Sequence, residues 1–323
     1  MLSGVGPAGA SAGPCPPGVG VGLLEVPREL VNDPRARSYV IDRVRPGTRF
    51  TRRLKVCNGF DARAPIEVYP DAATVAHGLF SLGDGRVPNE LTSWMTVTPS
   101  SVDLPAGTSG VVTLTVSVPP DAAPGERYAA VVVQGPPRAA ANGVAVTSRV
   151  GLRVYLSVGA GGLAPNDFHI ESLQATRGPD GRARVRAQVR NTGPRALEVS
   201  GELSLTQQDT RITAGPFPAE LGTTLAPGDS EPVTVDLPAA VTGGPWQTVL
   251  TLHSGTLQRR AKATLVFPAG AGQAAPPVAA TEVPLYRDRG VLIPFAAGLA
   301  GLIALLVLLA ALLSRRRRDP PTG

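Results

Sequence analysis

The stretch 112–118 reads Val112-Thr113-Leu114-Thr115-Val116-Ser117-Val118, an unbroken alternation of apolar and polar residues. The run Val150–Val158 alternates in the same way, and in 182–190 alanine and valine alternate with arginine and glutamine. Such a period of two is typical of antiparallel strands with one face buried and the other wet. Asp180-Gly181, directly before the third run, is a strong signal for a hairpin turn. These runs predict an all-β chain.

The composition agrees with short strands joined by turns. Glycine and proline contribute 37 and 33 of the 323 residues, and both residues favour turns and interrupt helices. This content excludes a long helical bundle, and the lack of a Gly-X-Y period excludes a collagen-like chain. Two cysteines are too few for a disulfide scaffold or a structural zinc site.

An internal repeat indicates two sandwiches in tandem. Asn58 and Asn191 each follow a predicted strand and lie in a turn, and Leu104–Ser109 and Leu225–Ser230 each lead into another strand. The first copy carries about a dozen extra residues, which fit most simply within Asp71–Trp94. Short strands at this spacing are typical of Ig-like β-sandwiches.

The repeat and the composition divide the chain into six parts. Residues 19–160 and 166–267 are predicted to be two Ig-like β-sandwich domains, preceded by an N-terminal arm over 1–18. Residues 268–290 are rich in alanine, proline and glycine, which predicts an extended, semi-flexible linker. A transmembrane helix over 291–313 and a basic tail over 314–323 follow.

The membrane span is predicted by 23 uncharged residues, Val291–Leu313, enough to cross a bilayer core of about 30 Å as a helix. Arg315, Arg316, Arg317 and Arg318 follow it, and positive charge beside a span stays in the cytoplasm. The sequence therefore predicts a single-pass cell-membrane protein with its N-terminal region outside and its tail inside. The arm lacks the basic and apolar regions of a signal peptide but contains small-residue cleavage-like motifs. We interpret it as the remnant of a signal that begins upstream.

Several motifs in the first half resemble a known family. They are Pro46-Gly47-Thr48 before a strand that ends in Asn58, then 89–94 (Asn-Glu-Leu-Thr-Ser-Trp), a Leu-Pro-Ala-Gly turn and 119–126. With a second sandwich, one membrane helix and a basic tail, the chain resembles the WxL-interacting protein family of Gram-positive bacteria, in an actinobacterial form. The resemblance implies a peptidoglycan-binding first domain and a second domain that binds a host or partner.

Cys15 and Cys57 form an even pair in a chain predicted to be exported, which favours a disulfide between them. Alternation along the strand places Cys57 opposite Leu54 and Val56, away from the core. The bond would tie the N-terminal arm to the outside of the first sandwich. The alternative is two unrelated free thiols.

Two sets of side chains are candidate ligand contacts, each with a structural alternative. Trp94, with Asn89 and Glu90 beside it, is a candidate for contact with a glycan, but both Trp94 and Trp246 fit a sandwich core at least as well. Four arginines on one strand face could attract an anionic wall polymer, or they could simply be solvated. These four are Arg182, Arg184, Arg186 and Arg190.

No catalytic or metal-binding constellation emerges from the sequence. His77, His169 and His253 lie on separate segments without ligands at metal-binding spacing, and no nucleophile, phosphate-binding or dinucleotide motif is present. The chain is therefore predicted to be neither an enzyme nor a holder of a cofactor or metal. Nucleic acid is not an expected partner of an exterior chain with 4% aromatic residues.

The predicted function is binding at the cell surface. The main interpretation is a membrane-anchored protein that contacts cell-wall glycan, a surface protein, or both. The alternative is a membrane-tethered assembly factor or chaperone for exported proteins. Such a factor would offer the edge of a sandwich to a partner strand.

Overall fold

A computed structural model describes residues 15–83, 85–139, 145–161, 166–207, 212–219, 223–241 and 243–283. Within these ranges no helix is long and apolar enough to cross a membrane. The predicted span 291–313, the tail with Arg315–Arg318 and most of the N-terminal arm lie outside the described residues. The described strands belong to one compact unit that ends at Val283. The prediction of an all-β sandwich fold is confirmed for this part of the chain.

Twelve strands build the first half. Their bounds are β1 Gly18–Leu23, β2 Val40–Val44, β3 Arg49–Gly59, β4 Ala64–Ala76, β5 Leu79–Leu82, β6 Met95–Thr98, β7 Ser101–Leu104, β8 Ser109–Ser117, β9 Gly125–Gln134, β10 Arg138–Ala139, β11 Ala145–Val146 and β12 Arg149–Val158. One sheet has the order β1-β3-β8-β6, and the other has the order β2-β12-β9-β4-β5, with β7 beside β4. Strands β10 and β11 form a separate ribbon. The helices are short: two 3-10 turns, Arg28–Leu30 and Pro34–Arg37, and α1, Glu90–Ser93.

The apolar side chains of the alternating runs fill the core between these two sheets. Val112, Leu114 and Val116 of β8 are fully buried, while the residues between them are partly or fully exposed. They meet Leu54 and Val56 of β3 and the apolar faces of β9 and β12 in one cluster. Burial of this apolar surface is the main force that holds the two sheets together.

Ten strands build the second half. Their bounds are β13 Phe168–Arg177, β14 Ala183–Asn191, β15 Leu197–Gln207, β16 Thr213–Pro218, β17 Thr223–Leu225, β18 Ser230–Asp236, β19 Trp246–Ser254, β20 Leu257–Leu265, β21 Val278–Ala279 and β22 Thr281–Glu282. The sheets have the orders β18-β14-β13-β21 and β16-β15-β19-β20-β22, with β17 beside β15. A second, separate apolar cluster lies between them, built around Phe168, Leu203 and Leu250.

Two buried asparagines tie equivalent turns in the two sandwiches. Neither Asn58 nor Asn191 has exposed surface. The Nδ2 of Asn58 donates to the carbonyls of residues 62, 104 and 105, and that of Asn191 to the carbonyls of residues 195, 225 and 226. Each Oδ1 accepts the backbone N–H two residues later. Asn58 and Asn191, which occupy equivalent positions in the predicted repeat, therefore have the same structural role.

The segment Pro268–Val283 differs from the predicted spacer. Its short strands pair with both sheets of the second sandwich, β21 with β13 and β22 with β20. The physical reason is that β13 and β20 would otherwise be edge strands with unpaired backbone groups, which a neighbouring segment can satisfy without a regular apolar pattern. We refer to Pro268–Val283 as the cover segment.

The extra residues predicted within Asp71–Trp94 form distinct structure in the first sandwich. They contain the end of β4, the strand β5 and the helix α1. Beyond Ala72 the long strand β4 leaves β9 and pairs with β5 in a hairpin of its own. Phe80 of this hairpin packs near Tyr128 of β9 and Tyr155 of β12, so the hairpin reaches the outer face of that sheet.

Candidate functional site

The hairpin of β4 and β5 turns through two residues in left-handed backbone conformations. His77 has φ 51° and Gly78 has φ 75°. A two-residue turn with both φ values positive matches the twist of the strands on either side. Ala76 and Leu79 flank the turn as direct partners, and the ladder continues to Ala73 and Leu82. The turn therefore fixes the register of β5.

One edge of β5 has no partner strand among the described residues. Beyond the ladder the N–H of Gly83 donates to the carbonyl of Ala72 at 2.9 Å. Hydrogen-bonded and non-bonded pairs alternate along an antiparallel ladder. The backbones of Thr74 and Ser81 therefore hydrogen-bond to each other, and so do those of Ala76 and Leu79. The N–H and C=O groups of Phe80 and Leu82 therefore point away from β4, and no strand of the described residues pairs with them.

The side chains around this edge are apolar and exposed. Leu79 is 60% exposed, Leu82 is 40% exposed and Val87, in the loop that follows, is 41% exposed. The other exposed residue of β5 is an uncharged serine, Ser81. Natural proteins commonly protect edge strands with charges, prolines or a covering segment, and this strand has none of these within it. We call Leu79–Leu82 with Val87 the β5 edge.

Phe80 anchors the β5 edge to the sheet below. Its ring centroid lies 5.4 Å from that of Tyr155 and 6.5 Å from that of Tyr128. The Arg153 guanidinium lies 4.8 Å from the centroid of the same ring. Aromatic pairs at such separations are stabilising beyond their buried area. The strand is therefore held firmly by one side chain while its neighbours face outward.

A buried carboxylate positions the loop after β5. Asp71 has no exposed surface, accepts the backbone N–H of Val87 at 3.0 Å, and pairs with Arg149 at 3.1 Å. The backbone N–H of Ala72 also donates to the carbonyl of Val87, at 3.0 Å. These bonds hold Val87 beside the hairpin.

The second sandwich supports the other end of the hairpin. The backbone N–H of Thr224 donates to the carbonyl of Gly78 at 2.8 Å. Beneath the hairpin, the Tyr155 hydroxyl and Arg153 both bond Glu198 at 2.7 Å. Burial, followed by the charge of Glu198, raises the pKa of Tyr155, so its hydroxyl stays a donor. The hairpin is thus braced from both sandwiches.

A second buried carboxylate, Glu126, joins the two sandwiches nearby. It accepts the backbone N–H of Ala196 at 2.5 Å and the hydroxyl of Tyr128 at 2.8 Å. Burial is the largest influence on Glu126 and raises its pKa, against these hydrogen bonds and the charge of Arg195. The junction therefore concentrates ionisable groups, and the carboxylates of Glu126 and Glu198 both have hydrogen-bond partners there.

The structure joins Cys15 and Cys57 by a disulfide, with their Cα atoms 5.7 Å apart. Cys57 is buried, yet it is not part of the apolar cluster that contains Leu54 and Val56. It therefore lies on the strand face opposite the core, beneath the N-terminal arm. The bond fastens the start of β1 to β3.

The candidate glycan contacts Trp94, Asn89 and Glu90 have structural partners. Trp94 is 8% exposed, and the guanidinium of Arg127 lies 4.8 Å from its ring centroid. Asn89 caps α1 by accepting the N–H of Thr92, and Glu90 pairs with Arg127 at 2.8 Å. The structure therefore favours the core alternative for Trp94, as it does for Trp246, which is 7% exposed within the second core.

The four candidate arginines lie on or beside β14 as the alternation predicted. Arg182, Arg186 and Arg190 are exposed, while Arg184 is partly buried. Arg184 already pairs with Asp180 and with Asp236, at 2.6 Å each. The face is therefore less basic than its sequence indicated, and contact with an anionic polymer stays a prediction.

His77, His169 and His253 remain apart in the structure. His77 lies in the hairpin turn, His169 pairs with Glu282 at 2.9 Å, and His253 bonds Ser200 at 2.9 Å. Among the described residues no three side chains of the metal-ligating types come together.

Comparisons with known proteins give similarity only to solved structures. No family model and no curated protein matches the chain. The structure is similar to the CupB2 chaperone of Pseudomonas aeruginosa, with 13% identity, 71% of this chain and 97% of that chain covered, and a TM-score of 0.39. It is also similar to the DraB chaperone of E. coli, with 17% identity, 71% and 95% covered, and a TM-score of 0.38.

A third similar structure is the SafA pilin of Salmonella enterica in complex with the SafB chaperone, with 14% identity, 77% and 97% covered, and a TM-score of 0.42. Identities and TM-scores this low give no argument about what the chain binds. None of the comparisons bears on the WxL-interacting family, so that resemblance stays a prediction.

Sequence reasoning did not single out the β5 edge. A usable signal was present, because His77-Gly78 separates two short runs of strand-forming residues. The exposure of Leu79 and Leu82 has no such signal. It depends on β5 being the last strand of its sheet, which is a property of the whole sandwich.

Proposed function

We propose that this chain is a non-catalytic binding protein of the cell surface that pairs an extended segment of a partner protein with the β5 edge. This proposal is the assembly-factor alternative from the sequence analysis, with the β5 edge as the sandwich edge that binds the partner. A partner strand would hydrogen-bond to Phe80 and Leu82 and place apolar side chains against Leu79, Leu82 and Val87. Backbone pairing supplies affinity in this mode, and alternate side chains supply specificity.

The observation that carries the proposal is a proline-free, uncharged edge strand with exposed leucines at both ends. Several other edges contain prolines or are covered, and β1 and β6, which also lack prolines and charges, have no exposed large apolar side chain. Strand β16 contains Pro216 and Pro218, β18 contains Pro232, and the cover segment pairs with β13 and β20. The exposed leucines distinguish β5 from these other edges, and their exposure is most simply explained by use in binding.

A glycan-binding function has less support in the geometry. Its best candidate, Trp94, lies in the core with its ring covered by Arg127. Stacking on a sugar requires an open aromatic face. The proposal includes two features that are predicted from the sequence, the Ig-like class of the sandwiches and the membrane anchor at 291–313. The anchor would keep the β5 edge outside the cell, near the membrane.

Site-specific photo-crosslinking in the organism that makes the protein tests the proposal. A photoreactive residue at position 79 is expected to capture a defined segment of an exported protein. Position 111 is the matched control, because Val111 is 54% exposed but lies on β8, an interior strand of the opposite sheet. Equal capture at both positions, or capture at neither, would contradict pairing at the β5 edge.

A further inference from the structure

The cover segment lies along one side of the second sandwich and bonds to both of its sheets. On the β13 side, Arg177 N–H donates to the carbonyl of Gln273 at 2.8 Å and Ala275 N–H donates to that of Ala175 at 2.9 Å. On the β20 side, Val283 N–H donates to the carbonyl of Arg260 at 2.8 Å. The segment thus crosses from one sheet to the other and occupies both edges.

Backbone hydrogen bonds, and few apolar side chains, hold the cover segment in place. Only Ala275 and Ala280 of this segment pack against the second core, and each is just partly buried. Val278 is 38% exposed, and the residues of β22 are also exposed. Two methyl groups contribute little burial compared with the valine and leucine side chains that hold the other strands.

Local opening is most accessible where few apolar contacts have to break. The cover segment satisfies this condition along its whole length, whereas β13 and β20 are anchored by fully buried residues such as Leu173 and Ala261. Release of the segment would expose two strand edges while leaving the core between the sheets in place.

We infer that the edges of β13 and β20 are a second strand-binding surface, for which the cover segment is a displaceable occupant. The partner is an extended protein segment with larger apolar side chains where the chain itself has Ala275 and Ala280. Such side chains would bury more apolar surface at the same backbone pairing, so the partner outcompetes the resident segment.

The charges around these edges define the partner further. Arg260 and Lys262 of β20 are exposed, and Thr281 of the cover segment lies directly opposite Lys262. Glu282 pairs with His169 of β13 at 2.9 Å. An acidic residue at the equivalent of Glu282 is therefore expected in the partner, with uncharged residues before it. This inference does not rest on the β5 edge and can hold or fail independently of it.

The test uses the full chain and two labelled synthetic peptides. One peptide copies residues 268–283, and the other carries leucine in place of alanine at positions 275 and 280. We expect the leucine peptide to bind about tenfold more tightly than the copy, measured by fluorescence anisotropy. Equal binding of the two peptides, or binding of neither, would overturn the inference.

A reversible lock shows whether binding requires displacement of the cover segment. Ser172 and Ala279 are direct partners across β13 and β21, so the double variant Ser172→Cys/Ala279→Cys can be cross-linked. The oxidised variant is expected to lose binding of the leucine peptide and the reduced variant to regain it. The wild-type chain in the same reductant controls for reduction of Cys15–Cys57. Binding that ignores the lock would show that the peptide occupies another site.

Discussion

The two sandwiches share an internal architecture and differ in what they do with their edges. In both, a buried asparagine ties a turn by the same set of hydrogen bonds. The first sandwich leaves β5 open with exposed leucines, while the second has prolines in β16 and β18 and the cover segment on β13 and β20. The difference teaches that two alike interiors can have unlike edges, and the proposed binding of a partner depends on those edges.

The largest expected loss of stability comes from removing the buried asparagine that each sandwich contains. Asn58→Ala and Asn191→Ala each leave three turn carbonyls and one backbone N–H without their side-chain partner. We expect each to lower the free energy of unfolding by about 3–5 kcal/mol, because unsatisfied buried polar groups are costly. Amide exchange of β3 and β14 would report the two sandwiches separately. Tolerance of one substitution but not the other would break the equivalence.

Removal of the disulfide should destabilise the first sandwich and not the second. Replacing both Cys15 and Cys57 by serine is expected to lower the stability of the first sandwich by about 2–4 kcal/mol, because the disulfide closes a long loop of the unfolded chain. The second sandwich contains no cysteine. Exchange protection in β3 should therefore fall while protection in β14 is retained. Loss of protection in both would mean that the sandwiches unfold as one cooperative body.

One contribution to the dependence of stability on pH should come from a single buried carboxylate of the first sandwich. Asp42 is buried, and burial raises its pKa to about 6 although Arg52 lies 2.5 Å away and opposes the shift. A raised folded-state pKa means that the folded chain binds the extra proton, so this contribution is full below about pH 4 and is lost as pH rises through 6. Relative to Asp42→Asn, the wild-type chain should lose up to about 3 kcal/mol over this interval.

Denaturant titrations of both proteins at pH 4, 5, 6 and 7 measure this difference. Comparison with the asparagine variant removes the contributions of the other carboxylates, several of which have lowered pKa values and act in the opposite direction. A difference that stays constant across the series would show that Arg52 fully compensates the burial of Asp42.

The smallest effect on stability is expected at the β5 edge. Leu79→Lys should change the free energy of unfolding by less than about 0.5 kcal/mol, because the side chain is exposed. The same substitution should abolish capture of the partner by a crosslinker at position 82. Val111→Lys, at a position of similar exposure, should leave both stability and capture unchanged. If both variants capture the partner as the wild type does, the edge is not the binding surface.

The strands and the repeat could be predicted because their signals are local. Alternation in 112–118 and in 183–190 directly reports which face is buried. The asparagines could be matched because the residues around them recur in order. The Cys15–Cys57 pairing followed from there being only two cysteines in a chain expected to be exported.

The cover segment and the β5 edge could not be predicted in the same way. Alanine, proline and glycine in 268–283 carry no apolar period, and the segment is held by backbone groups that every sequence has. The exposure of Leu79 depends on strand order, which a short run of four residues does not encode. Both features arise where one part of the chain meets another.

The cover segment has a mechanical consequence. Its last strand, β22, is joined to β20 near the point where the described chain ends, at Val283. Tension applied from the C-terminal side therefore acts first on Val283 and β22, and then on β21, so the bonds are loaded one after another and not together. We expect a force-extension measurement to show an early, low-force step of cover release before either core yields. The segment would detach first under load, while the two sandwiches stay folded.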